Sequence, residues 1–243
     1  MAAFRTLWTA LVSFYEETFV LVTGNLAALA LNLPLGLVLF LIALPFVGSE
    51  ESGTQWLAVT IAWLLPFLPT PGIVALAGLT RVAAGPDVPR FVEFRTALRA
   101  HWRLALRCSV VSLIVTVALV ANVYFYAVFG GGWLRLAAIV WLYGLLFWLS
   151  LHIYLVPLLV HVAEPTLFDL YRRSAFVALG HPGYTIMLLV ALLTVCLLTV
   201  VFLPMYVLVG IAFLSLVQAH ALREIRRRHG DLLPETEEEV SRL

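Results

Sequence analysis

Between Cys108 and Val162 the chain carries one formal charge, Arg135, across two apolar runs separated only by Gly130-Gly-Gly132. In a soluble domain about a quarter of residues are charged. A helix of roughly 20 apolar residues spans the ~30 Å hydrocarbon layer of a bilayer. Similar runs recur along the sequence, giving candidate spans near 24–47, 56–79, 108–129, 133–162, 185–203 and 205–222. Of the 243 residues, 63% are hydrophobic and 12% charged. The pattern predicts an all-α, polytopic transmembrane bundle of about six spans. Residues 1–222 would form one domain and 223–243 a charged tail, partly disordered.

The breaks between runs carry the detail. Residues 4–19 read as an amphipathic helix lying in the membrane interface, with Phe4, Leu7, Leu11 and Phe14 at helical steps and Glu16 and Glu17 arguing against a span. No cleavable signal peptide is expected. The run at 56–79 is interrupted by Pro66, Pro69 and Pro71, which remove three backbone donors within six residues. Carbonyls freed in this way must be satisfied by protein, by a wet cavity or at the interface. The 81–107 connection holds six arginines, 172–173 two and 223–228 four, whereas the alternate loops hold only Arg135. The positive-inside rule then predicts a cell-membrane protein with both termini cytoplasmic.

Within 89–107, Arg95, Arg99, Arg103 and Arg107 fall every fourth residue, beside an apolar stripe of Phe91, Phe94, Leu98 and Trp102. This is either an interfacial helix with snorkelling arginines or a docking surface for a cytoplasmic partner or anionic lipid. A second polar connection, 164–184, has the same opening pattern. Pro89, Phe91, Glu93 and Phe94 match Pro165, Leu167, Asp169 and Leu170, the signature of a short internal repeat.

The familiar chemistry-bearing motifs do not occur. There is no zinc helix, no nucleophile elbow and no lysine for a phosphate loop. Cys108 and Cys196 sit in apolar runs and read as packing residues. No cofactor or metal is expected, nor any enzyme activity. A net charge of +1 gives no general pull toward nucleic acid. Between Val20 and Leu222 the acids are Glu50, Glu51, Asp87, Glu93, Glu164 and Asp169, all in connections or at span ends, which argues against ion-coupled transport. On the fourth run Tyr143, Ser150, Tyr154 and His161 share one helical face, with His152 on the other. Together with Asn122 they would line a polar path, or else form interhelical hydrogen bonds and an aromatic belt.

Proline-rich Pro69-Thr-Pro-Gly-Ile-Val-Ala-Leu76, the Gly85-Pro-Asp-Val-Pro89 loop, Phe91-x-x-Phe94 and the basic helix after them resemble the YesL family of bacterial integral membrane proteins. The likeness covers about forty residues. Arginine stands where that family often has lysine, and the charged tail is a departure. The resemblance implies no established activity and supplies no catalytic residues. It does imply an accessory role in sugar uptake or envelope carbohydrate metabolism, with subunits of an ABC transporter as partners; the lipid bilayer and further copies of the chain are the other partners expected. The alternative is a small permease or channel with a path between spans two and four.

Overall fold

A computed structural model describes residues 2–47, 68–162, 165–201 and 205–229. These form α1 (Ala2–Glu16), α2 (Thr18–Val47), α3 (Pro71–Ala83), α4 (Phe91–Val128), α5 (Ala137–His161), α6 (Leu167–Gly180), α7 (Pro182–Val201) and α8 (Ile211–His229). A 3-10 turn (Gly132–Leu136) precedes α5 and a π turn (Tyr206–Gly210) precedes α8. No strand occurs among the described residues. Four helical segments are long and apolar enough to cross a membrane, over Thr18–Leu37, Phe91–Val128, Gly132–His161 and Leu208–Arg227, and the bent α6–α7 pair makes a fifth if it counts as one span. The protein is an all-α transmembrane bundle.

Three elements differ from the sequence reading. The expected 56–79 span restarts as a short helix at Pro71. The Thr70 hydroxyl accepts from the Ile73 N–H at 3.3 Å, and proline occupies the first helical turn, where no donor is needed. Residues 56–67 of that span lie outside the described residues. The basic 89–107 segment is not a separate interfacial helix. It is the first part of α4, one unbroken helix of 38 residues, ~57 Å long. Ala100-His-Trp-Arg103 offers no helix breaker, whereas Gly180-His-Pro-Gly183 bends α6 against α7 by 104°. The last run begins in a π turn, and α8 continues to His229, seven residues into the expected tail (223–229); residues 230–243 lie outside the described residues.

The small helix α3 is the centre of the bundle. Every residue from Gly72 to Thr80 is buried. It packs against α5 and α8, which also touch each other, and against the outer helices α2 and α4. Glycines permit this. A Cβ on Gly72 would lie 2.6 Å from the Ala28 carbonyl oxygen, and one on Gly78 would overlap the Ala97 Cβ.

The bundle is built from three corresponding units that the residue identities conceal. The succession of buried, half-buried and exposed positions over 101–118 recurs unchanged over 181–198. Over 17–34 it differs only at Val22, Leu31 and Asn32. Leu21, Ala105 and Thr185 correspond, as do Gly24, Cys108 and Leu188, and Ala28, Ser112 and Leu192; all are buried. Each unit thus has an amphipathic segment (α1, the start of α4, α6), an outer helix (α2, the rest of α4, α7) and an inner helix (α3, α5, α8). Inner helices pack on the amphipathic segment of the next unit: α3 on α4, α5 on α6, and α8 back on α1. Ser13 Oγ meets His220 Nε2 at 3.1 Å on α1 and α8, where Ala97 meets Gly78 on α4 and α3. The helix starts at Phe91 and Leu167 do match, as the repeat signature indicated, with Glu93 and Asp169 in their first turns. The outer helices, however, correspond at a spacing four residues longer. One added turn in α6 keeps the same face inward.

Among the polar contacts that tie the first unit to the third, one sits at the π turn. The π turn before α8 widens the backbone, and the buried Asn25 Oδ1 accepts from the Ala212 N–H at 2.8 Å. Asn25→Leu should leave that N–H unpaired and lower stability by about 1–3 kcal/mol. A thermal-unfolding comparison in detergent checks this, and an unchanged midpoint would show that Ala212 finds another acceptor.

Candidate functional site

Two features stand out, one on the surface of α4 and one inside the bundle. On α4, Phe94, Ala97, Ala105 and Cys108 are buried, while Arg95, Arg99, Arg103 and Arg107 are all exposed on the opposite face. A step of four residues advances 6 Å along a helix and drifts slowly around it, so the four guanidinium groups form one stripe. None of the four makes an ion pair among the described residues. Trp102 is 45% exposed, with the Arg103 guanidinium 5.3 Å from its ring. Within the apolar stripe, Trp102 is exposed and Phe94 is buried. Phe91 stacks on buried Phe94 at 5.1 Å.

The residues expected to line a polar path occupy different surroundings. Tyr143 is 69% exposed. Ser150 donates to its own helix at Leu146 O (2.8 Å), Asn122 to Ala118 O (2.7 Å), and His161 bonds Pro157 O (2.7 Å). Tyr154 is fully buried, and its hydroxyl meets Thr185 Oγ1 at 2.9 Å. Each hydrogen bond serves a helix or a helix pair.

The polar centre of the bundle lies on the other face of α5. His152 Nδ1 lies 2.8 Å from the Trp148 carbonyl oxygen, and its Nε2 lies 2.8 Å from Ser112 Oγ on α4. A carbonyl only accepts, so Nδ1 carries the proton and Nε2 accepts from the Ser112 hydroxyl. Tyr171 on α6 approaches Ser112 Oγ at 2.7 Å and donates to Cys108 O at 3.2 Å. With the serine proton turned to His152, the single Tyr171 hydroxyl proton is shared between Ser112 Oγ and Cys108 O. Trp148 stacks on Tyr171 at 5.3 Å and donates its indole N–H to Thr116 Oγ1 at 3.1 Å. Ser112 and His152 are at most 1% exposed. A hydroxyl on a neutral imidazole is the arrangement of a base–nucleophile pair, here closed on every side by α4, α5 and α6.

In the first unit the corresponding positions are Ala28 and Gly72, which touch directly. A glycine–alanine contact in one unit is thus a serine–histidine–tyrosine chain in the next. Sequence spacing set His152 aside as facing away from the polar face. The signal that could have found it is the residue itself, an ionisable side chain at mid-span, together with the Ser109, Ser112 and Thr116 ladder on α4. No group of three or more potential metal ligands converges among the described residues.

No family model, curated protein or solved structure matches the chain.

Proposed function

We propose that this is a non-enzymatic accessory protein of the cell membrane that docks an acidic cytoplasmic surface of a carbohydrate ABC transporter on the arginine stripe of α4. The observation that carries the reading is the stripe itself, four exposed arginines with no ion-pair partner among the described residues, on a helix whose other face is committed to the bundle. Exposed cations held in register on a stiff rod favour a partner of opposite charge, through encounter rate and specificity. The transporter class follows from the YesL-like Pro69–Phe94 pattern. The Ser112–His152–Tyr171 chain supports a non-enzymatic role, because its hydrogen-bonding atoms are already engaged with one another.

Arg95→Glu, Arg99→Glu and Arg103→Glu combined should abolish co-purification with the transporter's membrane subunits while leaving insertion and thermal stability unchanged. Undiminished recovery of those subunits would overturn the reading.

The buried polar chain favours the permease alternative to one extent, since an intramembrane histidine is a common mark of transport paths. Flux through proteoliposomes that is lost in Ser112→Ala would establish it.

A further inference from the structure

The inner helices α3 and α5 end at the arginine-bearing end of the bundle, where α8 runs on to His229, and in each of the three a buried stretch meets a basic residue there. Gly72 to Thr80 is followed by Arg81, 152–160 by His161, and the buried Ala221 and Leu222 by Arg223. These three positions correspond in the three-unit arrangement. The pairing of Ala97 with Gly78 and of Ser13 with His220 sets the register that aligns Arg81 with Arg223, and the buried runs align Arg81 with His161. The groups also converge. Arg81 Nη1 donates to Val160 O at 3.2 Å. Arg226, Arg81 and Arg223 all stand within electrostatic reach of the His161 ring. The Arg223 guanidinium lies beside Gly85, which follows α3.

The charge at this point is not balanced. A helix C-terminus carries about half a negative charge, so the ends of α3 and α5 contribute roughly −1. Arg81, Arg223 and Arg226 contribute three full positive charges, and no carboxylate pairs with any of them among the described residues. Glu224, the adjacent acid, is committed to Arg5 on α1 and lies 3.8 Å from Arg227. His161 spends its Nδ1 proton on Pro157 O, and its Nε2 has no partner among the described residues.

We propose that Arg81, Arg223 and Arg226, gathered around His161 where α3 and α5 end beside α8, form a binding site for a phosphate-bearing anion. Basic pockets between helices at the cytoplasmic membrane surface take the headgroups of anionic phospholipids, and guanidinium groups bind phosphate oxygens in pairs. The site is separate from the α4 stripe. It belongs to the inner helices, and its ligand is a small anion instead of a protein surface.

The test uses delipidated, detergent-purified full-length protein. Thermal unfolding and equilibrium binding are followed with phosphatidylglycerol, with phosphatidylcholine and with inorganic phosphate. Phosphatidylglycerol should bind and raise the unfolding midpoint, and phosphatidylcholine should not. Arg81→Gln/Arg223→Gln should weaken phosphatidylglycerol binding by roughly tenfold or more, whereas Arg99→Gln on the α4 stripe should bind as the parent does. Inorganic phosphate competing with the lipid at millimolar concentration would assign the site to a soluble phosphate compound. Arg223→Gln alone, at an exposed position, keeps the test valid should the double variant unfold. Equal binding by the parent and both glutamine variants would overturn the proposal, as would equal binding of the two lipids.

Discussion

Gly72→Val is expected to lower stability by about 3 kcal/mol or to prevent folding, and Gly36→Ala to leave the bundle intact or strengthen it slightly. The contrast follows from what each new side chain meets. At Gly72 a single Cβ would lie 2.6 Å from the Ala28 carbonyl oxygen and 3.2 Å from the Ala28 Cα. Both belong to backbone, so relief requires α2 and α3 to separate. At Gly36, on the same outer helix α2, no described heavy atom lies within 4 Å. Replacing a mid-helix glycine with alanine there gains about 0.5–1 kcal/mol of helix preference. Unfolding in a detergent–denaturant series would compare the two. If Gly72→Val kept the parent midpoint, the close approach of α2 and α3 at the centre of the fold would be wrong.

The second large effect is a coupling. Ser112→Ala should cost about 2 kcal/mol, because His152 Nε2 then loses its donor and Tyr171 loses an acceptor inside the bundle. His152→Leu should cost a similar amount by orphaning the Ser112 hydroxyl. Combined, the two substitutions should cost much less than their sum, with a coupling energy of about 1–2 kcal/mol. The double variant removes the polar pair as a whole and approaches the apolar solution already present at Ala28 and Gly72. Additive costs would mean that the two side chains do not depend on each other.

Length and hydropathy were enough to read the all-α membrane bundle, because the cost of exposing backbone to lipid leaves few alternatives. The proline interruption of 56–79 is legible because proline acts locally, whereas the Thr70 cap that starts a new helix at Pro71 is not among the features read from the sequence. Helix punctuation was misread where the decision is an absence. Nothing in 100–103 stops a helix, so the basic segment and its following span are one rod, although their compositions differ sharply. The face of Tyr143, Ser150, Tyr154 and His161 was read from angular position alone. Position cannot say which side of a nearly all-apolar helix meets protein, and α5 turns out to be buried on both faces from Leu149 to Val160. His152 was therefore assigned the wrong importance. The three-unit plan was hidden for a related reason. Corresponding core positions such as Ala28, Ser112 and Leu192 share a place in the packing but neither size nor polarity.

The return of α8 onto α1, through Arg5 with Glu224, Ser13 with His220 and Phe14 against Phe213, makes the bundle a ring of three head-to-tail interfaces within one chain. Open repeat arrays need special end units to cover the last exposed face. A head-to-tail contact that closes needs none, but it admits only the number of units its rotation dictates. In the first two units the outer and inner helices run antiparallel, with Gly24 near Leu79 and Ala28 near Gly72 in one, and Ser112 near His152 and Thr116 near Trp148 in the other. A chain of this design cannot lengthen by one more copy. Its units differ instead in what fills corresponding positions, a glycine–alanine contact in the first and a serine–histidine pair in the second.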